Sequence, residues 1–261
     1  INADGTYTFT PAPNYNGPAP VINYTDDAGE TTPLFIEVTP VDEVLPVCLA
    51  PICFTQGTLI ATADGDIPVE DLKVGDLVET LDHGQQPLRW VGQRHLDALE
   101  LTENANLRPI RIRKDVVRAG EGVGDLVVSP QHRILIASKI AQRMFGNTEV
   151  LVPAKQLLAI EGVDIADDLE DVTYFHILFD QHEMVYANGV PSESLHLGPM
   201  AQRSLTPAGR EEIHALFPEV ASPTFMPSLC RPTIPNKRAR QLAQRLASNG
   251  KPLLDAQSAH Y

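Results

Sequence analysis

The chain has 261 residues, of which 43% are hydrophobic and 21% are charged, a composition typical of globular proteins with a buried core. Its net charge of −14 argues against nucleic acid as a partner, because phosphate binding requires a basic face. No run of about 18 apolar residues occurs, so the sequence predicts no membrane-spanning helix. The three cysteines, Cys48, Cys53 and Cys230, are too few for a disulfide framework, and their spacing does not predict a zinc site.

The first part of the chain, residues 1–46, alternates apolar and polar side chains between proline and Asn-Gly breaks, which predicts short half-buried strands. Four features resemble the second half of a cadherin-like or VCBS-type repeat of bacterial surface and secreted proteins. They are the segments Gly5–Thr10, Asn14–Gly17 and Ile36–Val41 and the Asp26-Asp27 turn. A full sandwich of this type needs about 100 residues, so we expect a partial repeat in a piece of a longer protein. The resemblance implies a secreted or cell-surface location.

Three further segments follow in chain order. Residues 44–52 contain two prolines and no charge, so we expect residues 47–52 to form an extended linker. Across residues 53–196, many short apolar runs are separated by Asp-Gly and Val-Gly-Asp turns, which favours a closed or strongly coiled β domain. In residues 197–261, apolar residues recur at helical spacing after a Thr-Pro start, which predicts a small helical C-terminal extension.

Residue types suited to nucleophilic chemistry occur in three motifs that lie far apart in the sequence. The motifs are Cys53-Phe-Thr-Gln-Gly57-Thr58, followed by Val69-Glu-Asp-Leu-Lys-Val-Gly75-Asp76; Ser129-Pro-Gln-His132; and His176-Ile-Leu-Phe-Asp180-Gln-His182, running into Asn188-Gly-Val-Pro-Ser192-Glu-Ser194. Together they resemble the Hint superfamily, the fold shared by inteins and the autoprocessing domain of Hedgehog proteins, and in particular its bacterial Hint-domain proteins. The resemblance spans residues 53–196 and implies a mostly β, Hint-type domain that cuts its own polypeptide.

A cysteine cuts its own chain by attacking the carbonyl carbon of the preceding residue, which turns an amide into a thioester. The reaction needs a thiolate, whose formation depends on local charges, and an acid such as histidine that protonates the leaving amine. It also needs hydrogen-bond donors for the tetrahedral oxyanion, and strain at the scissile peptide adds to these aids. With Cys53 as the nucleophile, the bond that breaks is Ile52–Cys53. This chemistry requires neither a metal nor an organic cofactor.

The resemblance assigns roles to the other residues of the three motifs. It implies that His132 contacts the scissile amide and protonates the leaving amine, with Ser129 as a helper on the same loop. In the third motif, His176 takes the place of a second acid or base. Four supporting positions complete the predicted site. They are Gly57, Thr58, Asp180 and His182.

These assignments predict a single-turnover, self-cleaving domain whose substrate is its own upstream polypeptide. We expect the thioester to be hydrolysed by water or passed to an external thiol or amine. Full splicing is disfavoured, because Ser192-Glu193 stands where splicing inteins end in His-Asn, whose asparagine cuts the downstream bond.

Other interpretations stay open on the residues alone. The chain can be part of a calcium-dependent adhesin whose Hint domain does not react, or a true splicing element. Cys53 can be an ordinary core cysteine, or it can form a disulfide with Cys48. Two acidic turns, Asp26-Asp27 and Asp64-Gly-Asp66, invite a calcium interpretation, but the sequence favours solvated turn acids, because neither has the ligand number of an EF-hand loop.

Overall fold

The computed structural model describes residues 17–18, 22–25, 31–34, 37–38, 52–117, 124–198, 201–202, 205–222, 225 and 227–255. The chain divides into two compact units, Ile1–Val47 and Cys48–Tyr261. In the first unit, the described residues form two antiparallel strand pairs. They are β1 (Gly17–Pro18) with β4 (Glu37–Val38), and β2 (Ile22–Thr25) with β3 (Thr31–Leu34).

These strands agree with the β pattern predicted for residues 1–46. Other parts of the predicted repeat, including Gly5–Thr10 and the Asp26-Asp27 turn, lie outside the described residues, as do residues 47–51 of the predicted linker. The cadherin-like repeat therefore stays a prediction.

The second unit is built mainly from short strands. They are β5 (Phe54–Thr55), β6 (Leu59–Thr62), β7 (Gly65–Pro68), β8 (Leu77–Thr80), β9 (Gly84–Pro87), β10 (Trp90–Leu96), β11 (Ile110–Ile112), β12 (Leu126–Val128), β13 (Arg133–Ala137), β14 (Glu149–Pro153), β15 (Val163–Ile165), β16 (Val172–Leu178), β17 (Met184–Ala187) and β18 (Val190–Glu193). Two antiparallel sheets result, with strand orders β10-β16-β5-β12-β11-β15 and β14-β13-β18-β17-β6-β8-β9, and β7 pairs with β6. The prediction of a mostly β fold is confirmed.

Among the described residues, three short helices lie within residues 53–196 and the two longest lie in the C-terminal extension. These helices are α1 (Ala98–Glu103), α2 (Lys114–Val117), α3 (Lys139–Phe145), α4 (Pro207–Leu216) and α5 (Asn236–Ser248). Local sequence explains where they begin: the Asp97 side chain accepts from the Glu100 N–H ahead of α1, and Thr206 Oγ1 accepts from the Gly209 N–H ahead of α4. The sequence predicts α4 and α5 but not α1 and α3, which span less than two turns and show little periodicity of their own.

The main hydrophobic core draws on both sheets and on the C-terminal extension. Ile110 and Leu126 from the first sheet and Ile134 and Val185 from the second are buried in it. The buried face of α5 belongs to the same core and consists of Ala239, Leu242, Ala243 and Leu246. Because burying a leucine side chain stabilises a protein by about 1.5–3 kcal/mol, the extension is an integral part of the folded unit. Among the described residues, no helix has the length and apolar character needed to span a bilayer.

Candidate functional site

The register of the first sheet brings the three sequence motifs together. Phe54 of β5 pairs with β12 on one side and with β16 on the other. Cys53 precedes Phe54, and the antiparallel register therefore places Ser129, just after β12, on one flank and His176, within β16, on the other. Residues more than 70 positions apart in sequence thus become neighbours because a two-residue strand is held between two longer ones.

Ser129 holds the scissile peptide by its amide. The Cys53 N–H donates to Ser129 Oγ at 3.1 Å, and the Ser129 N–H donates to the Cys53 carbonyl oxygen at 3.0 Å. The nitrogen of the Ile52–Cys53 bond therefore faces a hydroxyl group that can also donate a proton.

His176 holds the same peptide by its carbonyl. Its Nδ1 lies 2.8 Å from the Ile52 carbonyl oxygen, while Cys53 Sγ lies 3.7 Å from Nδ1 and 3.6 Å from Nε2. A carbonyl oxygen accepts but does not donate, so Nδ1 carries the hydrogen and Nε2 keeps a lone pair that can accept the thiol proton. One imidazole thus contacts both Cys53 Sγ and the Ile52 carbonyl oxygen.

Burial sets the resting protonation states of both groups. It lowers the pKa of His176 to about 4, against the opposing effect of the hydrogen bond to Ile52. Burial also raises the pKa of the Cys53 thiol well above its ordinary value, although a hydrogen bond with Ser129 and the charge of Arg94 act in the opposite direction. At neutral pH the thiol and the imidazole are both uncharged, so the thiolate forms only as the proton moves away from Sγ.

The remaining surroundings of the thiol are apolar. Cys53 is fully buried, and it packs in a cluster with Leu96, Leu101, Leu107, Val172 and Tyr174. Cys48 lies outside the described residues, so the disulfide with Cys53 stays an open alternative. The thiol is therefore enclosed by hydrocarbon on one side but meets Ser129 and His176 on the other.

His132 lies close to the site but does not hold the scissile amide in this structure. Its ring packs edge-on against Phe54 with the ring centroids 4.5 Å apart, and its backbone N–H donates to the Ser129 carbonyl oxygen at 3.0 Å. Neither ring nitrogen has a hydrogen-bond partner among the described residues, although the side chain is fully buried. The scissile N–H goes to Ser129 Oγ, where the resemblance implied His132.

The buried ring of His132 predicts a specific pH dependence of stability. Burial lowers its pKa from 6.5 to about 4, against the opposing effect of the Glu193 charge. The unfolded chain therefore binds the proton more readily, and stability falls as pH decreases from about 6.5 to about 4. We expect His132→Phe to reduce this fall by up to about 3 kcal/mol, measured by urea unfolding across that range. His95→Phe, at an exposed position, serves as the control; equal pH profiles for all three proteins would contradict the assignment.

A buried carboxylate behind His132 was not anticipated from the sequence. Glu193 is fully buried and accepts hydrogen bonds from the Arg133 N–H at 2.7 Å and from Arg133 Nη1 at 3.0 Å. His182 Nε2 lies 3.2 Å from the same carboxylate, and His182 Nδ1 accepts from the Cys230 N–H at 3.2 Å. His182 is therefore protonated on Nε2 and occupied at both nitrogens. Burial alone would raise the pKa of Glu193, but the His182 hydrogen bond and the Arg133 charge hold it below its usual range.

We expect Glu193→Gln to destabilise the fold strongly. The amide removes the buried negative charge and turns an NH₂ group towards existing donors, so the free energy of unfolding should fall by about 3 kcal/mol. Chemical denaturation measures this difference. The matched change Glu103→Gln, at an exposed residue, should stay within about 0.5 kcal/mol of the unmodified chain. A loss at position 193 no larger than at position 103 would show that the carboxylate network contributes little.

The four supporting positions fall outside the described contacts of the thiol and have three different settings. Gly57 adopts φ of 81° and donates its N–H to Glu70 Oε2, while Thr58 Oγ1 donates to the Thr55 carbonyl oxygen, so both close the turn after β5. Asp180 has a largely exposed side chain whose carboxylate lies 3.1 Å from Arg89 Nε. His182 belongs to the Glu193 network. Among the described residues, no group of three or more His, Cys, Asp or Glu side chains is arranged to hold a metal ion.

Residue 52, on the other side of the scissile bond, packs against the C-terminal extension. Ile52 is partly buried against a second hydrophobic cluster, which consists of Trp90, Leu178, Leu195, Leu197, Leu205, Ile213, Phe217 and Val220. The extension is tied to the first sheet by a hydrogen bond of 2.7 Å from Trp90 Nε1 to Glu212 Oε2. Sequence reasoning missed these residues, because apolar spacing in α4 indicates a buried face but not what covers it.

Several solved structures are similar to the chain at low sequence identity. The chain is similar to a bacterial intein-like domain from Clostridium thermocellum, with 15% identity, a TM-score of 0.34, and coverage of 55% of this chain and 98% of that one. It is also similar to a splice-inactive variant of the AceL NrdHF class 3 split intein, with 16% identity, a TM-score of 0.36, and coverage of 55% of this chain and 97% of that one. The MchDnaB-1 intein has 12% identity to it and a TM-score of 0.35, with coverage of 54% of this chain and 98% of that one. No curated protein matches the chain.

The family model described as "Hint domain" matches residues 52–199, which is more than half of the chain. The match begins at the residue before Cys53, and it includes both sheets and the three motifs. It ends before α4, so the part of the extension that packs against Ile52 lies beyond it. The chain belongs to the Hint-domain family.

Proposed function

We propose that the chain cuts itself between Ile52 and Cys53 through an N–S acyl shift. The contact of one imidazole with both reacting atoms carries the proposal: His176 Nδ1 lies 2.8 Å from the Ile52 carbonyl oxygen, and the ring nitrogens lie within 3.7 Å of Cys53 Sγ. The general self-processing character of Hint domains and the match over residues 52–199 support it.

The first step is attack of the sulfur on the Ile52 carbonyl carbon. The thiol proton moves to His176 Nε2 as the S–C bond forms, and the carbonyl π electrons move onto oxygen. Nδ1–H already points at that oxygen, so the imidazole that accepts the proton becomes a cation next to the developing oxyanion. The low pKa of His176 and the high pKa of the thiol make this transfer uphill, which suits a reaction that each chain performs once.

The second step breaks the C–N bond. The oxyanion returns its electrons to carbon, and the nitrogen of Cys53 leaves as an amine that must gain a proton. Ser129 Oγ, 3.1 Å from this nitrogen, is placed to donate that proton once the nitrogen has a lone pair. The Ser129 hydroxyl then regains a proton from the His176 imidazolium, which carries the proton taken from sulfur. The proton lost from sulfur thus ends on nitrogen, and both side chains return to their neutral forms.

The product is a thioester of Ile52 on the Cys53 side chain. Water or an external thiol or amine then attacks the thioester carbonyl, the C–S bond breaks, and the upstream polypeptide is released. Glu193 stands where splicing requires asparagine, and its carboxylate is bound by Arg133 and His182, so this position holds no side-chain amide that could cut downstream. We propose that this release takes place at the cell surface or after secretion, as the upstream repeat-like sequence implies.

Intact-mass spectrometry of the purified chain in dithiothreitol tests the proposal. We expect a fragment of residues 1–52 and a complementary fragment that begins at Cys53, both accumulating faster with increasing thiol. Hydroxylamine in place of the thiol should convert the Ile52 carboxyl group into a hydroxamate, which a contaminating protease would not do.

Two other outcomes correspond to the alternative functions. A chain that stays intact after long incubation in both reagents would overturn self-cleavage and favour an adhesin segment with an unreactive Hint domain. An excised internal segment with its flanks joined would instead identify a splicing element.

A further inference from the structure

A small cavity opens beside the reaction centre. It has a volume of about 210 Å³ and lies between β10 and the first turn of α4. This is below the range of about 300–1,000 Å³ that is usual for drug-sized ligands. Its walls include Trp90, Gly92, Arg94, His176, Ala208 and Glu212.

The cavity leads from solvent to the imidazole that holds the scissile carbonyl. Thr206 and Ala208 at its rim are exposed, whereas His176 in its wall is only 5% exposed. The opposite side of the centre is closed, because the Cys53 thiol packs against the apolar cluster that contains Tyr174. A small molecule in this cavity is therefore next to the imidazole whose Nδ1 contacts the Ile52 carbonyl oxygen.

The cavity exists because of an unusual arrangement around Gly92. Gly92 is the cross-strand partner of His176, and a Cβ built on it would lie 1.9 Å from the Trp90 ring. The indole therefore folds over the glycine, where the hydrogen bond from Trp90 Nε1 to Glu212 on α4 holds it. The wall of the cavity is thus completed by the C-terminal extension, beyond the residues that match the Hint family.

Opposite charges line this space. Arg94 contributes a guanidinium group, which also lies 3.5 Å from Glu100, and Glu212 contributes a carboxylate. A ligand with both a carboxylate and an ammonium group is attracted by the Arg94 guanidinium and by the Glu212 carboxylate, whereas a ligand with one charge is attracted by only one of them.

We propose that this cavity is the acceptor site, and that it selects a small zwitterionic nucleophile of amino-acid size to resolve the thioester. The inference rests on the proposed self-cleavage. The acceptor's thiol or amine attacks the Ile52 carbonyl carbon, the new C–S or C–N bond forms, the bond to Cys53 Sγ breaks, and the proton of the nucleophile passes to that sulfur.

Three small thiols that differ in charge test whether the cavity selects a zwitterionic nucleophile. Cysteine carries both charges, cysteamine only the ammonium group, and 3-mercaptopropionate only the carboxylate. The rate of release of residues 1–52 is measured at thiol concentrations where it rises linearly with concentration. Each rate is divided by the rate at which the same thiol reacts with a free thioester peptide, which corrects for differences in intrinsic reactivity. We expect cysteine to exceed each of the other two by at least about fivefold, the effect of one modest charge interaction.

Two variants separate the contributions of the charges. Arg94→Gln should remove the preference for cysteine over cysteamine, and Glu212→Gln should remove its preference over 3-mercaptopropionate. Ala208→Phe, at the rim, should slow cysteine capture, whereas Ala215→Phe, on an exposed part of the same helix, should not change the rate ratios. The ratios are compared within each variant, so a changed acyl-shift rate does not affect them.

The outcomes distinguish this inference from the proposed function. Release by dithiothreitol together with equal corrected rates for the three thiols in the unmodified chain would overturn the acceptor site and leave self-cleavage standing. No release by any thiol would overturn both.

Discussion

Replacing Cys53 with alanine should abolish the proposed release of residues 1–52 in thiol, because the sulfur that forms the new bond is gone. The unassisted hydrolysis of a peptide bond is too slow to replace it. Intact-mass spectrometry over several days, with and without hydroxylamine, measures the loss.

Cys230→Ser is the matched control for this change. Burial raises the pKa of the Cys230 thiol to about 12, and the backbone N–H of this residue donates to His182 Nδ1 in the Glu193 network. We expect the serine variant to release the fragment at the rate of the unmodified chain. Equal release from Cys53→Ala and from the unmodified chain would show that the cut does not depend on this thiol.

Replacing His176 with alanine should slow fragment release by about 100- to 1,000-fold, the usual cost of losing an oxyanion donor. The change removes the hydrogen bond to the Ile52 carbonyl oxygen and the acceptor for the thiol proton in one step. The measurement is the first-order rate constant at saturating thiol, with thermal unfolding recorded alongside to separate catalysis from stability.

A second variant at this position divides the two roles. His176→Asn keeps an N–H donor but cannot accept the thiol proton, so we expect its rate to lie between those of the alanine variant and the unmodified chain. His95→Ala, at an exposed position of β10, is the control and should leave the rate unchanged. If alanine at position 176 cleaves as fast as the unmodified chain, the imidazole is not the group that activates this peptide.

The fold and the site differ in how well the sequence anticipated them. Alternation and turn residues predict the strands on both sides of the Cys53 motif, and the long pattern after Cys53 indicates the family. The role of each residue within the site was harder to predict from the sequence, because Ser129 and His132 lie three residues apart and either can reach a nearby amide. The side chain that faces the scissile nitrogen is decided by the turn after β12, in which the His132 N–H donates to the Ser129 carbonyl oxygen.

The sequence alone determined the mostly β class, the Hint resemblance over residues 53–196 and the choice of Cys53, because these depend on residue type and local spacing. The tertiary structure decided three further things: that His176 contacts the Ile52 carbonyl oxygen, that Glu193 is a buried anion, and that α4 lines the cavity next to His176. Each of these depends on strand register or on helix packing between segments far apart in the chain. Local periodicity shows which face of an element is buried, but it carries no information about which distant segment covers that face.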